Sequence, residues 1–122
     1  MNVEELREYC LSKEHVEECF PFDEVTLVFK VMGKMFLLCG LENVELRFNV
    51  KCDPDRAIEL REQYPEAVLP GWHMSKTHWN TVKANYGLSD SQLKEFIDHS
   101  YALVVASLTK KQREEFNKRT SL

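Results

Sequence analysis

Between Trp72 and Lys83 the chain reads Trp72-His73-Met74-Ser75-Lys76-Thr77-His78-Trp79-Asn80, with Lys83 three residues further on. Cations, indoles, imidazoles and short polar donors in one run suit an anionic ligand. Lysine supplies charge for phosphate, Ser, Thr and Asn supply hydrogen bonds, and aromatic rings supply stacking surfaces. The 23 residues from Ala67 to Ser89 hold no Asp or Glu, whereas an even spread of the chain's twenty acids would place about four there. A competing expectation comes from packing. Aromatic side chains dominate cores, which puts Trp72 and Trp79 inside and makes His73 and His78 hydrogen-bonded structural residues.

Other constellations point away from catalysis. His73 and His78 are five apart, not the i,i+4 of a helical metal pair. Cys10, Cys19, Cys39 and Cys52 form no Cys-x-x-Cys pair, so zinc knuckles and thioredoxin-type motifs are excluded. A site joining Cys52 to His73 and His78, or a Cys52–His78 thiol pair, requires the third strand to abut the Trp72–Lys83 segment. His99, beside Asp98 in a helix, reads as a satisfied rim residue. No Gly-x-Ser-x-Gly elbow, phosphate-binding glycine loop or nucleotide fingerprint occurs. The expectation is a protein that is not an enzyme, with no catalytic residue, metal or cofactor.

The elements that must position these residues belong to an ordinary globular chain: 122 residues, 43% apolar, 30% charged, net charge −4. That length predicts a single domain over 1–122. The net charge excludes a uniformly basic coat protein but not a local basic patch. No apolar run approaches the roughly 20 residues of a membrane span. The acidic start, Met1-Asn2-Val3-Glu4-Glu5, has no apolar export region, so a cytoplasmic protein with reduced thiols and no membrane partner is expected. Charge is uneven: residues 1–24 sum to −6, 67–89 to +2 and 110–119 to +3, which predicts a dipolar molecule with a basic side.

Asn2 with Glu5 starts a first helix ending near Ser12, and residues 13–24 read as an acidic loop with Phe20 and Phe22 tucked onto the core. Three strands follow, Thr26–Val31, Met35–Cys39 and Val44–Lys51, the last alternating apolar and polar residues. Asp53-Pro54 starts a helix with Ala57, Ile58, Leu60 and Tyr64 inward. Thr77–Val82 reads as a short strand. Ser89 with Gln92 caps a long helix carrying Leu93, Phe96, Ile97, Tyr101, Val104, Val105 and Leu108, and Thr109 with Gln112 caps the last. The order α-β-β-β-α-β-α-α predicts an α+β fold, an antiparallel meander with helices packed on one face.

Phe20-Pro21-Phe22, Lys51-Cys52-Asp53-Pro54, Tyr64-Pro65, Gly71-Trp72-His73-Met74-Ser75-Lys76-Thr77-His78-Trp79-Asn80-Thr81-Val82 and His99-Ser100-Tyr101 occur in that order. Together they resemble the MmcQ/YjbR family over nearly the whole chain. The resemblance implies a frataxin (CyaY)-like fold, described as a double-wing DNA-binding motif, in a cytosolic bacterial protein. Its signature falls on Lys51, His73, Lys76, His78, Trp79 and Asn80; Glu66, Trp72, Ser75 and Thr109 depart from the usual residues. Resemblance and charge pattern together give a DNA-binding module making weak, largely sequence-independent phosphate contacts. Arg47, Lys51, Lys76 and Lys83 would meet phosphates, while His73, His78 and Asn80 hydrogen-bond or position their neighbours. The alternative is a non-enzymatic module for a protein or a small anionic ligand, favoured by the net acidity and the scattered arginines.

Overall fold

A computed structural model describes residues 1–120. Ten elements run in the order α1 (Val3–Leu11), β1 (Val16–Cys19), β2 (Thr26–Val31), β3 (Lys34–Gly40), β4 (Arg47–Lys51), α2 (Pro54–Gln63), β5 (Val68–Pro70), β6 (Trp79–Lys83), α3 (Asp90–Ala106) and α4 (Lys110–Thr120). The strands form one antiparallel sheet in the order β1-β2-β3-β4-β6-β5. The fold is α+β, and all four helices contribute side chains to the core on one face of that sheet.

Local chemistry sets the helix starts. Asn2 with Glu5 and Ser89 with Gln92 form reciprocal capping boxes, and the Asp53 carboxylate accepts from the N–H groups of Asp55 and Arg56 ahead of Pro54. Leu27, Phe29 and Val31 of β2, Phe48 and Val50 of β4 and Val82 of β6 face Leu6, Leu93, Phe96 and Ile97. Burying one such side chain contributes about 1.5–3 kcal/mol. An irregular register, Phe29 opposite Leu37 but Lys30 opposite Met35, turns both Phe36 and Leu37 into this core. The other face is sparsely covered: Val28, Leu38 and Trp79 form a second small cluster, closed by Cys19, Met35 and Met74.

Several expectations are corrected. The acidic loop contains strand β1, paired to β2 along its length. Its alternation is polar because it is an edge strand: Val16 joins the core, Glu18 pairs through both its oxygens with Arg7 of α1, and Glu17 lies opposite Lys30. Phe20 and Phe22 are 49% and 63% exposed rather than tucked in, and Ile58 faces outward. The third strand starts at Arg47, with Val44 fully exposed in the preceding loop, and the short strand runs from Trp79 to Lys83. Strand β5 was not expected; it is three residues long, too short for a periodic pattern. The order is therefore α-β-β-β-β-α-β-β-α-α.

Candidate nucleic-acid interface

Strands β4 and β6 pair Arg47 with Lys83, Asn49 with Thr81 and Lys51 with Trp79. Alternation sends Phe48, Val50 and Val82 into the core, so those three pairs all project from the helix-free face. Opposed residues in an antiparallel pair have Cβ atoms about 5 Å apart, and like charges placed so are destabilising. Arg47 facing Lys83 is therefore not an arrangement that stability alone selects. Among the described residues, strands β2 to β6 hold no Asp or Glu; Lys30, Arg47, Lys51 and Lys83 share the open face, and Glu17 stands at its far edge on β1.

The segment 71–78 folds back over this face. Trp72 is held at its middle by a closed ring of hydrogen bonds. The Thr81 hydroxyl donates to Asn49 Oδ1 at 2.5 Å and accepts the Trp72 N–H at 2.9 Å, while Asn49 Nδ2 donates to the Trp72 carbonyl at 3.0 Å. Gly71 makes the turn possible: a Cβ there would lie 2.8 Å from Trp79 Cβ and 2.9 Å from its carbonyl oxygen. Met74 drops onto the second cluster. From α2, Arg61 donates to Asn80 Oδ1 at 2.7 Å, to the Trp79 carbonyl at 3.2 Å and to the Lys76 carbonyl. His73 adopts the left-handed region at φ 59°, its ring edge-on to Trp72 at 4.8 Å.

Arg47, Lys51 and Lys83 thus come together on one face, and His73, Lys76 and His78 are exposed on the segment lying over it. Lys76 Nζ folds back to the Gly71 carbonyl at 3.3 Å. Asn80 does not join them: it is 1% exposed, on the opposite side of β6, and engaged by Arg61. Trp72 is 69% exposed and so is not core; Trp79 is buried, but in the second cluster. At the Arg47–Lys83 end, Lys83 Nζ lies 5.0 Å over the Tyr86 ring, and Glu45 accepts from the Tyr86 hydroxyl, raising its pKa. Glu66 also lies near Tyr86, so carboxylates border this end of the face. The cations of α4 lie elsewhere, because Phe116 packs into the helix-side core and against His15, which precedes β1.

Asn49, Thr81 and Arg61 are the site residues that sequence reasoning missed. The signal was present for the first two: a polar pair midway along strands whose other outward residues are basic or aromatic. β4 does abut the segment, since the Cys52 N–H donates to the His78 carbonyl at 2.8 Å. The side chains do not make a thiol pair of the catalytic kind: His78 is exposed, Cys52 is buried, and burial pushes its thiol pKa up. Among the described residues no three His, Cys, Asp or Glu side chains converge as a metal site. The cavity bounded by Cys52, Arg56, Phe96 and His99 is about 10 Å³, room for roughly one water. No helix among the described residues is long and apolar enough to cross a membrane.

Comparison with known proteins agrees with this architecture. The YjbR family model matches residues 11–103. The Escherichia coli O157:H7 protein YbdF is 37% identical over 103 residues, covering 81% of this chain and 80% of that protein. Escherichia coli K12 YjbR is 33% identical over 116 residues, covering 93% and 96%. The crystal structure of a Deinococcus radiodurans protein superposes with a TM-score of 0.90 at 38% identity, covering 95% of this chain and 88% of that one. A Pseudomonas syringae protein, at 23% identity and a TM-score of 0.69, shares the fold, covering 84% and 98%. Fold, motif order and these likenesses agree: the chain belongs to the YjbR family.

Proposed function

We propose that the protein is a non-enzymatic nucleic-acid-binding module that engages phosphates through the helix-free face of β4 and β6. The observation that carries this reading is the grouping of Arg47, Lys51 and Lys83 on one acid-free strand face, with Lys76 on the segment above it. Three or four phosphate contacts and no recognition helix in a groove give weak, largely sequence-independent binding, micromolar or weaker. DNA is the first ligand to test. Titration of labelled duplex and single-stranded oligonucleotides at about 50 and 200 mM salt should show the affinity falling roughly 40-fold for duplex and 20-fold for single strand if three phosphates are neutralised. The double variant Arg47→Gln, Lys83→Gln should flatten that dependence by nearly two phosphates' worth. Absence of binding at the lower salt would overturn the reading.

A protein partner is the second reading, and one observation favours it. The Thr26–Gly40 pairing and the Leu41 N–H bond to the Val25 carbonyl bring loops 20–25 and 41–46 to one end of the sheet, where Phe22 (63%), Leu41 (43%) and Val44 (103%) are exposed. Clustered exposed apolar side chains are a common mark of protein contact. A pull-down lost with Phe22→Ser but unchanged with Arg47→Gln would select this reading over the first.

A further inference from the structure

We infer that Trp72 is a base-stacking platform, and that the face it stands on takes a single-stranded polynucleotide in preference to a duplex. The inference rests on the phosphate-binding reading above and adds the class of ligand.

Three observations meet at this residue. The indole is 69% exposed although it follows a glycine turn that folds its backbone tightly against the sheet. Its own N–H and carbonyl are both bound, to Thr81 and Asn49, so the exposed ring stands on a fixed base rather than on a swinging loop. Asn49 and Thr81 lie midway between the Arg47–Lys83 pair and the Lys51–Trp79 pair, so that base sits between cations on either side along the strands. Arg47 and Lys51 are four residues apart on β4, about 13 Å along an extended strand. A hydrophobic ring is thus held exposed to water above a basic strand face, a position that core packing does not account for.

An extended polynucleotide matches both parts of this surface. Its phosphates reach the cations, and an unpaired base presents a π-face to the indole. Such stacking is sequence-tolerant because every base has that face. An intact duplex cannot offer it, since its bases are already stacked on one another. A protein strand would leave the cations without phosphates, and an acidic peptide would leave the indole without a planar partner.

The test compares three polyanions at about 50 mM salt: a labelled oligo-dT of about 15 nucleotides, a duplex of the same length, and inorganic polyphosphate, each against wild type, Trp72→Ala and Trp72→Phe. Wild type should bind oligo-dT more tightly than the duplex, with quenching of tryptophan fluorescence. Trp72→Ala should weaken oligo-dT about 10-fold while leaving polyphosphate unchanged, and Trp72→Phe should retain most of the affinity. Quenching should disappear in Trp72→Phe, where only the buried Trp79 remains. Because the Trp72 side chain is exposed and its anchoring is through the backbone, a melting curve like wild type is expected for both variants. If oligo-dT and polyphosphate both bind but Trp72→Ala weakens neither, or if quenching persists in Trp72→Phe, the stacking role is overturned while the phosphate reading stands. If no polyanion binds wild type, both fall.

Discussion

The guanidinium of Arg61 reaches three acceptors from one turn of α2: the side-chain oxygen of Asn80 and the carbonyls of Lys76 and Trp79. It thereby ties together the C-terminal end of the overlying segment and the first residues of β6. Truncation leaves Asn80, which is 1% exposed, with a buried acceptor and no charged donor. Losing a charge-assisted bond to a buried group costs about 1–3 kcal/mol. Arg61→Met should therefore lower the free energy of unfolding by about that much in urea titration, and Arg61→Lys should recover only part, since an ammonium cannot present the planar fork. A change within about 0.5 kcal/mol would show that the arginine is not the tie. Neither end of this contact was legible from sequence. Arg61 reads as one of the scattered arginines, and Asn80 reads as a hydrogen-bonding residue of the ligand surface because it lies in the acid-free window and on the family signature. Strand parity decides otherwise: Asn80 pairs with Val50, whose side chain faces the helices, so the Asn80 side chain faces them too.

At the scale of elements, the exit from β4 is clamped by α3. The Lys51 N–H donates to Ser100 Oγ at 2.8 Å, that hydroxyl donates to the Phe36 carbonyl at 2.5 Å, and the Asp53 N–H donates to His99 Nε2 at 3.2 Å. His99 therefore works as an acceptor in its neutral form. Partial burial holds its pKa below the ordinary imidazole value, Arg56 lowers it further, and Asp53 and Glu95 oppose that. When a base has a depressed folded-state pKa, the unfolded chain takes up its proton first. Stability is then full above the unfolded pKa near 6.5 and falls as pH drops from there towards the folded value. Wild type should lose more stability between about pH 7.5 and 5.5 than His99→Asn, read from melting temperatures at each pH. Equal losses would remove His99 from the clamp. The sequence announced the elements that carry strong local signals: the three capping boxes, Asp53-Pro54, and the alternation of β4. It concealed those whose signal is tertiary. β1 is a strand because β2 templates it and Arg7 answers Glu18, and β5 because it covers the edge of β6. The path of residues 71–78 depends on donors contributed by β4 and α2 and an acceptor contributed by β6, which no window of adjacent residues contains.

For the whole molecule, net charge and surface charge give opposite expectations. A chain at −4 should repel a polyanion, yet its basic residues are partitioned. The sheet's open face carries Lys30, Arg47, Lys51 and Lys83, while the basic run of α4 stands with the helix layer, beside the acidic N-terminal region that includes α1. At about 0.1 M salt, exposed charges more than roughly 10 Å apart are largely screened, so a polyanion on one side of the sheet scarcely senses the other side. The two basic regions can be tested against each other. Replacing Lys110, Lys111 and Lys118 with Gln takes the net charge from −4 to −7, by three charges. Replacing Arg47 and Lys83 takes it only to −6. If net charge governs association, the α4 variant binds oligonucleotide more weakly. If the β4–β6 face governs it, the α4 variant stays within about threefold of wild type at 0.1 M salt, while the Arg47, Lys83 variant loses about tenfold or more. The salt slope separates the cases again, because it changes only when a cation that displaced a counterion is removed. A flattened slope in the α4 variant, with the Arg47, Lys83 variant unchanged, would move the interface to the last helix and leave the pairing of like charges across β4 and β6 without a function.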